Sequence, residues 1–461
     1  MAIQKTIGLE RCFFDGGLGT MLQQAGLAAG ELPETWNLSH PEELIRIHSA
    51  YLEAGCDIFN ANTFGANRLK YPDNLEEIIS AGIQAAMEAR RRANRPDAKI
   101  ALDIGPSGKL LEPMGDLSFE DAVSLFGEVV RCGAAAGADL VLIETMTDSL
   151  EAKAAVLAAR ENCDLPVWLT MVFDENGYML TGGTPESMTP LMEGLGVQAF
   201  GINCSLGPEQ MKPIAKRFLA VSSSPVIVNP NAGLPRVENG TVYYDITAEE
   251  FSEQMKEISK AGAHAVGGCC GTTPAHISAV RETCGDLPFT PPEPKPFAVI
   301  TSSSAALVLD GVPEMAGRAD MDDPDGEFEE ALADSDAETL VDLYVELEDD
   351  ADVLEVCVDG GDADPAALLP DVVRQLQGMT SLPLLIASSD KAALAAAMRI
   401  YNGKPLVRTD GSAEDMQELF PLVQKYGASI LISPAASETR ESILQTAASF
   451  GIPAKELLFE E

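Results

Sequence analysis

PEELIRIHSAYLEAGCDIFNANT, residues 41–63, sets the pattern from which the fold is read. Pro41 stands where a helix begins, because its missing N–H belongs to the first turn, whose donors have no intrahelical partner anyway. Gly55 stands just past the helix end, where the left-handed exit is easiest without a Cβ. The amphipathic stretch between them hands over to DIFNANT (57–63), a short β-rich run that ends in polar residues. A helix leading directly into such a strand is part of a βα repeat, which builds a parallel sheet.

The same alternation extends in both directions. Eight β-rich runs are separated by helical segments: RCFFDGGLG (11–19), DIFNANT (57–63), KIALDIGP (99–106), LVLIETM (140–146), VWLTMVF (167–173), AFGINCS (199–205), PVIVNPN (225–231) and AVGGCCG (265–271). Eight βα units within about 285 residues predict a (β/α)8 TIM barrel of the α/β class. The Pro-rich stretch LPFTPPEPKPF (287–297) ends that pattern and reads as a semi-rigid linker. Residues 301–350 then carry 17 acidic residues and the single base Arg318, which predicts a solvated or mobile segment. About four further βα units follow, which predicts a smaller, partial, half-barrel-like α/β domain. The expected organisation is therefore 1–286 for the barrel, 287–336 for the linker and acidic segment, and 337–461 for the partial domain.

Composition removes several function classes. With 72 Asp+Glu against 31 Lys+Arg, the formal charge is −41, a field that repels phosphate backbones and anionic lipid surfaces. Nucleic acid and membranes are excluded as expected partners. No run of 18 or more uncharged apolar residues is present, and a cytoplasmic protein is expected. Nine cysteines without regular short spacing do not form a secreted disulfide framework. Six of them, Cys12, Cys56, Cys132, Cys163, Cys284 and Cys357, lie in apolar or helical surroundings and read as inert buried thiols.

The other three carry chemistry. Active sites of parallel barrels lie at the carboxyl ends of the strands, so strand-end residues from distant parts of the chain meet on one rim. Cys204 ends the sixth run, and Cys269 with Cys270 ends the eighth. Neighbouring residues on an extended strand face opposite ways, so both can ligate one metal only if the chain turns, which Gly267, Gly268 and Gly271 permit. Three thiolates with one open position are the donor set of a catalytic zinc site. Such a set is too electron-rich to acidify water strongly, but can bind a fourth, substrate thiol and keep it nucleophilic, which implies S-alkylation. Asp15 and Glu144 share the rim and suit an ammonium group, while Gly16, its glycine neighbours and Thr63 suit a carboxylate. Together they describe an amino-acid thiol.

The runs FDGGLGTMLQ and ETWNLSHPEELIRIHSAYLEAGCDIFNANTFGAN, with GINCS, NPNAGLP and GGCCGT, resemble the homocysteine S-methyltransferase family, and most closely the homocysteine-binding barrel of its cobalamin-dependent methionine synthase branch. The resemblance covers roughly residues 8–285. It implies Cys204, Cys269 and Cys270 as ligands of Zn2+, Asp15 and Glu144 as holders of the homocysteine amino group, Thr63 at its carboxylate, and Asn231 near the metal. The segments LPLLIASSDKAALAAAMRIYNGKPLV, LFPLVQKYGAS and FGIPAKELLFEE resemble the pterin-binding barrel that follows in that branch, in a truncated and degenerate form with Ala387 where an acid is usual. No Asp-x-His-x-x-Gly cobalamin signature occurs, so methylcobalamin is expected on a separate protein, supplied in trans. The alternatives are a small donor such as S-methylmethionine or betaine, or a non-catalytic docking module.

Overall fold

In the computed structural model, which describes residues 7–238, 241–321, 323, 326–360 and 363–460, the chain divides into two compact units. The first comprises the residues up to Thr181 together with Val197–Pro294, and the second comprises Gly182–Gly196 with the residues from Lys295 onward.

The first unit is an eight-stranded parallel barrel. Its strands are β1 (Cys12–Phe13), β2 (Ile58–Asn60), β3 (Lys99–Ile104), β4 (Leu140–Met146), β5 (Val167–Met171), β6 (Ala199–Asn203), β7 (Val226–Asn229) and β8 (Ala265–Val266). Each pairs with its sequence neighbour, β1 pairs with β8, and a parallel bridge between Phe14 and Ile58 closes the ring. Strands buried on both faces need continuous apolar runs rather than alternation, and LVLI, VWL and VIV supply them. The interior is filled from all eight strands by Cys12, Phe14, Ile58, Ala101, Leu140, Leu142, Trp168, Ala199, Ile227 and Ala265. A fully buried Leu or Ile contributes roughly 1.5–3 kcal/mol relative to an exposed one, so this plug and the helix-facing layer dominate stability.

The opening stretch folds as read. Pro41–Glu53 is a helix with Pro41 in the first turn, burying Leu44, Ile45, Ile47, His48, Tyr51 and Leu52 and leaving Glu42 and Arg46 exposed. Gly55 takes φ +96°, a conformation that L side chains rarely adopt. The hydroxyl of Tyr51 donates to the carbonyl of Thr272 at 2.9 Å and ties this helix to the chain leaving β8.

The second unit contains a six-stranded parallel sheet in simple sequence order: β9 (Met315–Gly317), β10 (Val353–Cys357), β11 (Leu384–Ala387), β12 (Leu406–Thr409), β13 (Ser429–Ile432) and β14 (Leu457–Phe459). Two strands more than the expected four are present, because β9 and β14 are three-residue edges too short to announce themselves. An antiparallel hairpin, Ala298–Thr301 with Ala306–Leu309, packs Ala298, Ile300 and Leu309 against Val353, Leu385, Leu406, Leu431 and Leu458. The helix Pro185–Gly194, which follows β5 in the chain, groups with this unit. Ser187 Oγ donates to the Ser303 carbonyl at 3.3 Å, and Gly427 lies so close to Gly194 that a Cβ there would sit 2.4 Å from its carbonyl carbon.

The acidic segment differs from the expected mobile loop. Glu327–Asp334 is a helix whose Phe328, Ala331 and Leu332 are buried, and Ala337–Val345 is another, begun by Asp336 accepting from the N–H groups of Glu338 and Thr339. Its acids occupy outer faces while an apolar stripe is buried, which charge counting overlooks. Asp322, Pro324 and Asp325 lie outside the described residues. Among the described residues no helix is long and apolar enough to cross a membrane.

Candidate metal centre and substrate cavity

The three singled-out cysteines meet at the carboxyl end of the barrel. Their sulfurs lie within 4.8 Å of one another, and Cys204 Sγ is 3.9 Å from Cys270 Sγ. Tetrahedral zinc with Zn–S near 2.3 Å requires sulfurs about 3.8 Å apart, so the donor set fits zinc by both distance and softness.

The backbone is bent to achieve this. Cys204 and the following Ser205 have φ of +56° and +59°, left-handed values that typically cost about 1–3 kcal/mol each for residues with a Cβ. The turn carries Cys204 off the end of β6, and its N–H is held by the Asn229 carbonyl at 3.1 Å. After β8 the chain leaves extended structure at Gly267 and turns at Cys270–Gly271, with Gly271 at φ +80°. The N–H of Cys269 donates to Pro230 O at 2.8 Å, and its carbonyl accepts from Thr272 Oγ1 at 2.6 Å. The turn thus brings consecutive cysteines into one cluster.

The metal-free thiols cannot all ionise together. Hydrogen bonds from Cys204 and Cys269 pull the Cys270 thiol down to about 3, with burial opposing and Tyr244 assisting. Hydrogen bonding with Cys204 and Cys270, together with burial, pushes Cys269 well above the ordinary thiol range.

A cavity of about 440 Å³ opens beside the sulfurs. Its wall includes Asp15, Gly16, Asn60, Asp103, Glu144, Thr145, Asn203, Tyr244 and all three cysteines, and among the described residues no Lys, Arg or His lines it. Asp15 Oδ2 accepts from the N–H of Asn60 at 3.0 Å, and Glu144 Oε2 accepts from Asn60 Nδ2 at 3.3 Å. Burial raises Asp15 well above the carboxylate range against the Asn60 N–H, and pushes Glu144 up to about 7. Asp103 is raised well above its ordinary value by burial and then by Glu144, Asp15 and Glu34. Asp15, Glu34 and Asp103 are buried and Glu144 is half-buried, and four carboxyls on one wall, with no basic side chain among its described residues, leave a place that a ligand cation stabilises.

Glu144 reaches the cavity through an irregularity. The register of β4 against β5 shifts between Ile143 and Met146, and Thr145 takes φ +64°. Asn203 holds that turn, accepting from Thr145 N at 3.1 Å and donating to Thr145 Oγ1 at 2.8 Å, while its Nδ2 lies 3.9 Å from Cys269 Sγ.

Thr63 and Asn231 are not among the residues that line this cavity. Thr63 does not line the cavity: its hydroxyl donates to the Asp103 carbonyl at 2.9 Å and accepts from the Asp103 N–H at 3.1 Å, so it is committed to the strand behind the wall. Asn231 is buried and also outside the lining, its N–H donating to Leu206 O at 2.9 Å. Conversely, Asp103, Asn60 and Tyr244 reach the cavity although the sequence reading passed over them.

The profile of the homocysteine S-methyltransferase family matches residues 12–284, well over half of the chain. The chain belongs to the homocysteine S-methyltransferase family. Methionine synthase of Mycobacterium tuberculosis is 28% identical over 450 residues, covering 90% of this chain and 37% of that protein. Methionine synthase of Mycobacterium leprae is 28% identical over 455 residues, with the same coverages of 90% and 37%. The chain thus spans little more than a third of the length of these curated relatives. Two solved structures of the homocysteine methyltransferase MmuM from Escherichia coli, an oxidized and a metallated form, both superpose with TM-score 0.52. They are 20% and 21% identical, each covering 59% of this chain and 95% and 96% of its own, and they share the barrel fold.

Proposed function

We propose that this chain binds homocysteine beside a zinc ion and methylates its sulfur to give methionine. The observation that carries the reading is the Cys204, Cys269 and Cys270 cluster opening onto a cavity walled by carboxyls, with no basic side chain among its described residues. Zinc held by the three cysteines would lower the pKa of a fourth, substrate thiol and keep it nucleophilic as a thiolate. Asp15 and Glu144 take the ammonium group, which fixes the carbon chain so that the sulfur points to the cysteines. Gly16 lets substrate approach the backbone, and Asn231 supports the turn beside the metal. The methyl donor in this reading is a methylcorrinoid carried by a separate protein, in keeping with the methionine synthase relatives that align across both units.

The same cavity favours a second donor class through its excess of acids. A sulfonium or quaternary ammonium donor, such as S-methylmethionine or betaine, would find no repelling base on the wall. We assign residues 337–461 to a pterin-domain relative that no longer binds methyltetrahydrofolate, since Ala387 ends β11 where a carboxylate would meet pterin N–H donors. The deciding experiment offers the zinc-loaded chain homocysteine with free methylcobalamin, methyltetrahydrofolate, S-methylmethionine or betaine in parallel and measures methionine. Turnover with methylcobalamin alone supports the first reading, turnover with a cationic donor supports the second, and no turnover with any donor together with no homocysteine binding removes both.

A further inference from the structure

Homocysteine bound as proposed engages Asp15 and Glu144, and Glu34 is occupied by the Gly65 N–H and the Tyr71 hydroxyl, which leaves the buried carboxyl of Asp103 without a role. Asp103 lies near the carboxyl end of β3, is 4% exposed and lines the cavity. Its Oδ1 receives no hydrogen bond from a protein N–H or hydroxyl, and its side chain instead meets the carboxyl of Glu144. Thr63 clamps its backbone on both sides through the carbonyl and the N–H, which fixes where the side chain leaves the strand. The other titratable groups acting on it, Asp15 from the end of β1 and Glu34 from the turn Pro33–Thr35, are acids as well.

Two carboxyls in contact inside a low-dielectric wall do not both ionise, so the pair shares one proton. Asn60 Nδ2 donates to Glu144, which favours negative charge there. No such donor reaches Asp103 Oδ1, so the proton belongs on Asp103.

We propose that Asp103 is a positioning residue for amino-acid recognition: as a neutral carboxylic acid it donates a hydrogen bond to Glu144 and holds that carboxylate, together with Asp15, toward the ammonium group of the substrate thiol. The proposal rests on the homocysteine reading and adds the group that makes the site demand an amino function. A thiol without that function gains nothing from the arrangement.

The test is calorimetric titration of the zinc-loaded full chain with L-homocysteine and with 4-sulfanylbutanoate, which keeps the thiol and carboxylate but lacks the ammonium group. Asp103→Ala should raise Kd for homocysteine about tenfold or more, the scale of one lost hydrogen bond to a charged group, while changing Kd for 4-sulfanylbutanoate less than about twofold. Asp103→Asn, whose amide N–H can donate to Glu144, should return homocysteine to within about threefold of wild type. Equal losses for both ligands in Asp103→Ala, or none for either, overturn the proposal. Asp103→Asn as weak as Asp103→Ala overturns it too, because that places a negative charge on Asp103. Wild-type protein that binds neither thiol removes the homocysteine reading itself, a result distinct from all of these.

Discussion

The rims of the two parallel sheets handle charge in opposite ways. On the barrel, buried Asp15 and Asp103 and half-buried Glu144 line a cavity with no basic side chain among its described residues, and three thiols stand beside them. On the second sheet, Arg408 is bonded on both sides, with Nε and Nη2 to the two oxygens of Glu355 at 3.1 and 2.8 Å and Nη1 to both oxygens of Glu460 at 2.8 Å. Lys391 meets Asp415 at 2.6 Å. Burial works to raise Asp359, but hydrogen bonds from Ser388 and Ser389 outweigh it and hold the group below its ordinary value. Charges paired with an opposite charge within the fold serve the fold, whereas carboxyls gathered without a basic partner leave room for a ligand cation.

The largest expected effect breaks the first rim without touching the second. Cys269→Ala should reduce zinc from about one per chain to a small fraction after dialysis, because two thiolates and water bind far more weakly than three. Arg408→Ala should leave zinc content unchanged. Metal analysis showing full occupancy in Cys269→Ala would remove the ligand assignment.

The next effect belongs to the second unit. Lys404 Nζ meets Glu456 Oε2 at 2.7 Å with side chains 6% and 10% exposed, and Ser429 Oγ donates to the same oxygen at 2.6 Å. Lys404→Met leaves that carboxylate buried with a hydroxyl as its remaining partner, a loss of about 3–5 kcal/mol for a broken buried pair. Denaturant unfolding should show it, with homocysteine affinity unaltered. A variant as stable as wild type would mean that Glu456 finds water.

The contrast also explains what was legible beforehand. The barrel could be read because eight apolar runs and their Gly and Pro punctuation are local signals, and the cysteine cluster because strand ends of a barrel must converge. Asp103 was illegible: in KIALDIGP an acid near a strand end reads the same whether a lysine or a cavity faces it. The hydroxyl of Thr63 is engaged by the Asp103 backbone, a pairing between strands 40 residues apart that no local pattern shows. Tyr244 follows a hairpin inserted between β7 and β8, and its ring packs on Gly271 only in three dimensions. On the second sheet β9 is hidden in an acid-rich stretch whose composition argued for a loop.

A pH experiment sharpens the comparison, since all four histidines, His40, His48, His264 and His276, belong to the first unit. His48 is fully buried with neither ring nitrogen hydrogen-bonded, and burial lowers its pKa to about 4. The folded state keeps it neutral while the unfolded chain takes up a proton near 6.5. Its contribution to stability is therefore complete above pH 6.5 and is lost as pH falls toward 4, by about 3 kcal/mol. The buried carboxyls raised in the same unit act with the opposite sign, so the wild-type profile alone is a sum. The difference in unfolding free energy between wild type and His48→Leu isolates the histidine and should change across that window. A pH-independent difference would show that the ring is hydrated or charged in the fold.

The smallest expected effect comes from making one chemical change on both rims. Glu144→Gln removes the charge that faces the substrate ammonium yet no metal ligand, so zinc should stay while homocysteine Kd rises about ten- to a hundredfold, equivalent to roughly 1.5–3 kcal/mol for a hydrogen bond to a charged group. Glu355→Gln removes half of the Arg408 pairing at a position 28% exposed, where Glu460 still holds the guanidinium. Water competes for such a pair, so the expected cost is below about 1 kcal/mol of stability, with homocysteine binding unchanged. The two substitutions differ in what surrounds the carboxylate rather than in chemistry, and that isolates the claim. Glu144→Gln with wild-type affinity would remove Glu144 from the site, and Glu355→Gln with weakened homocysteine binding would mean that partnered charges on the second rim also govern the ligand.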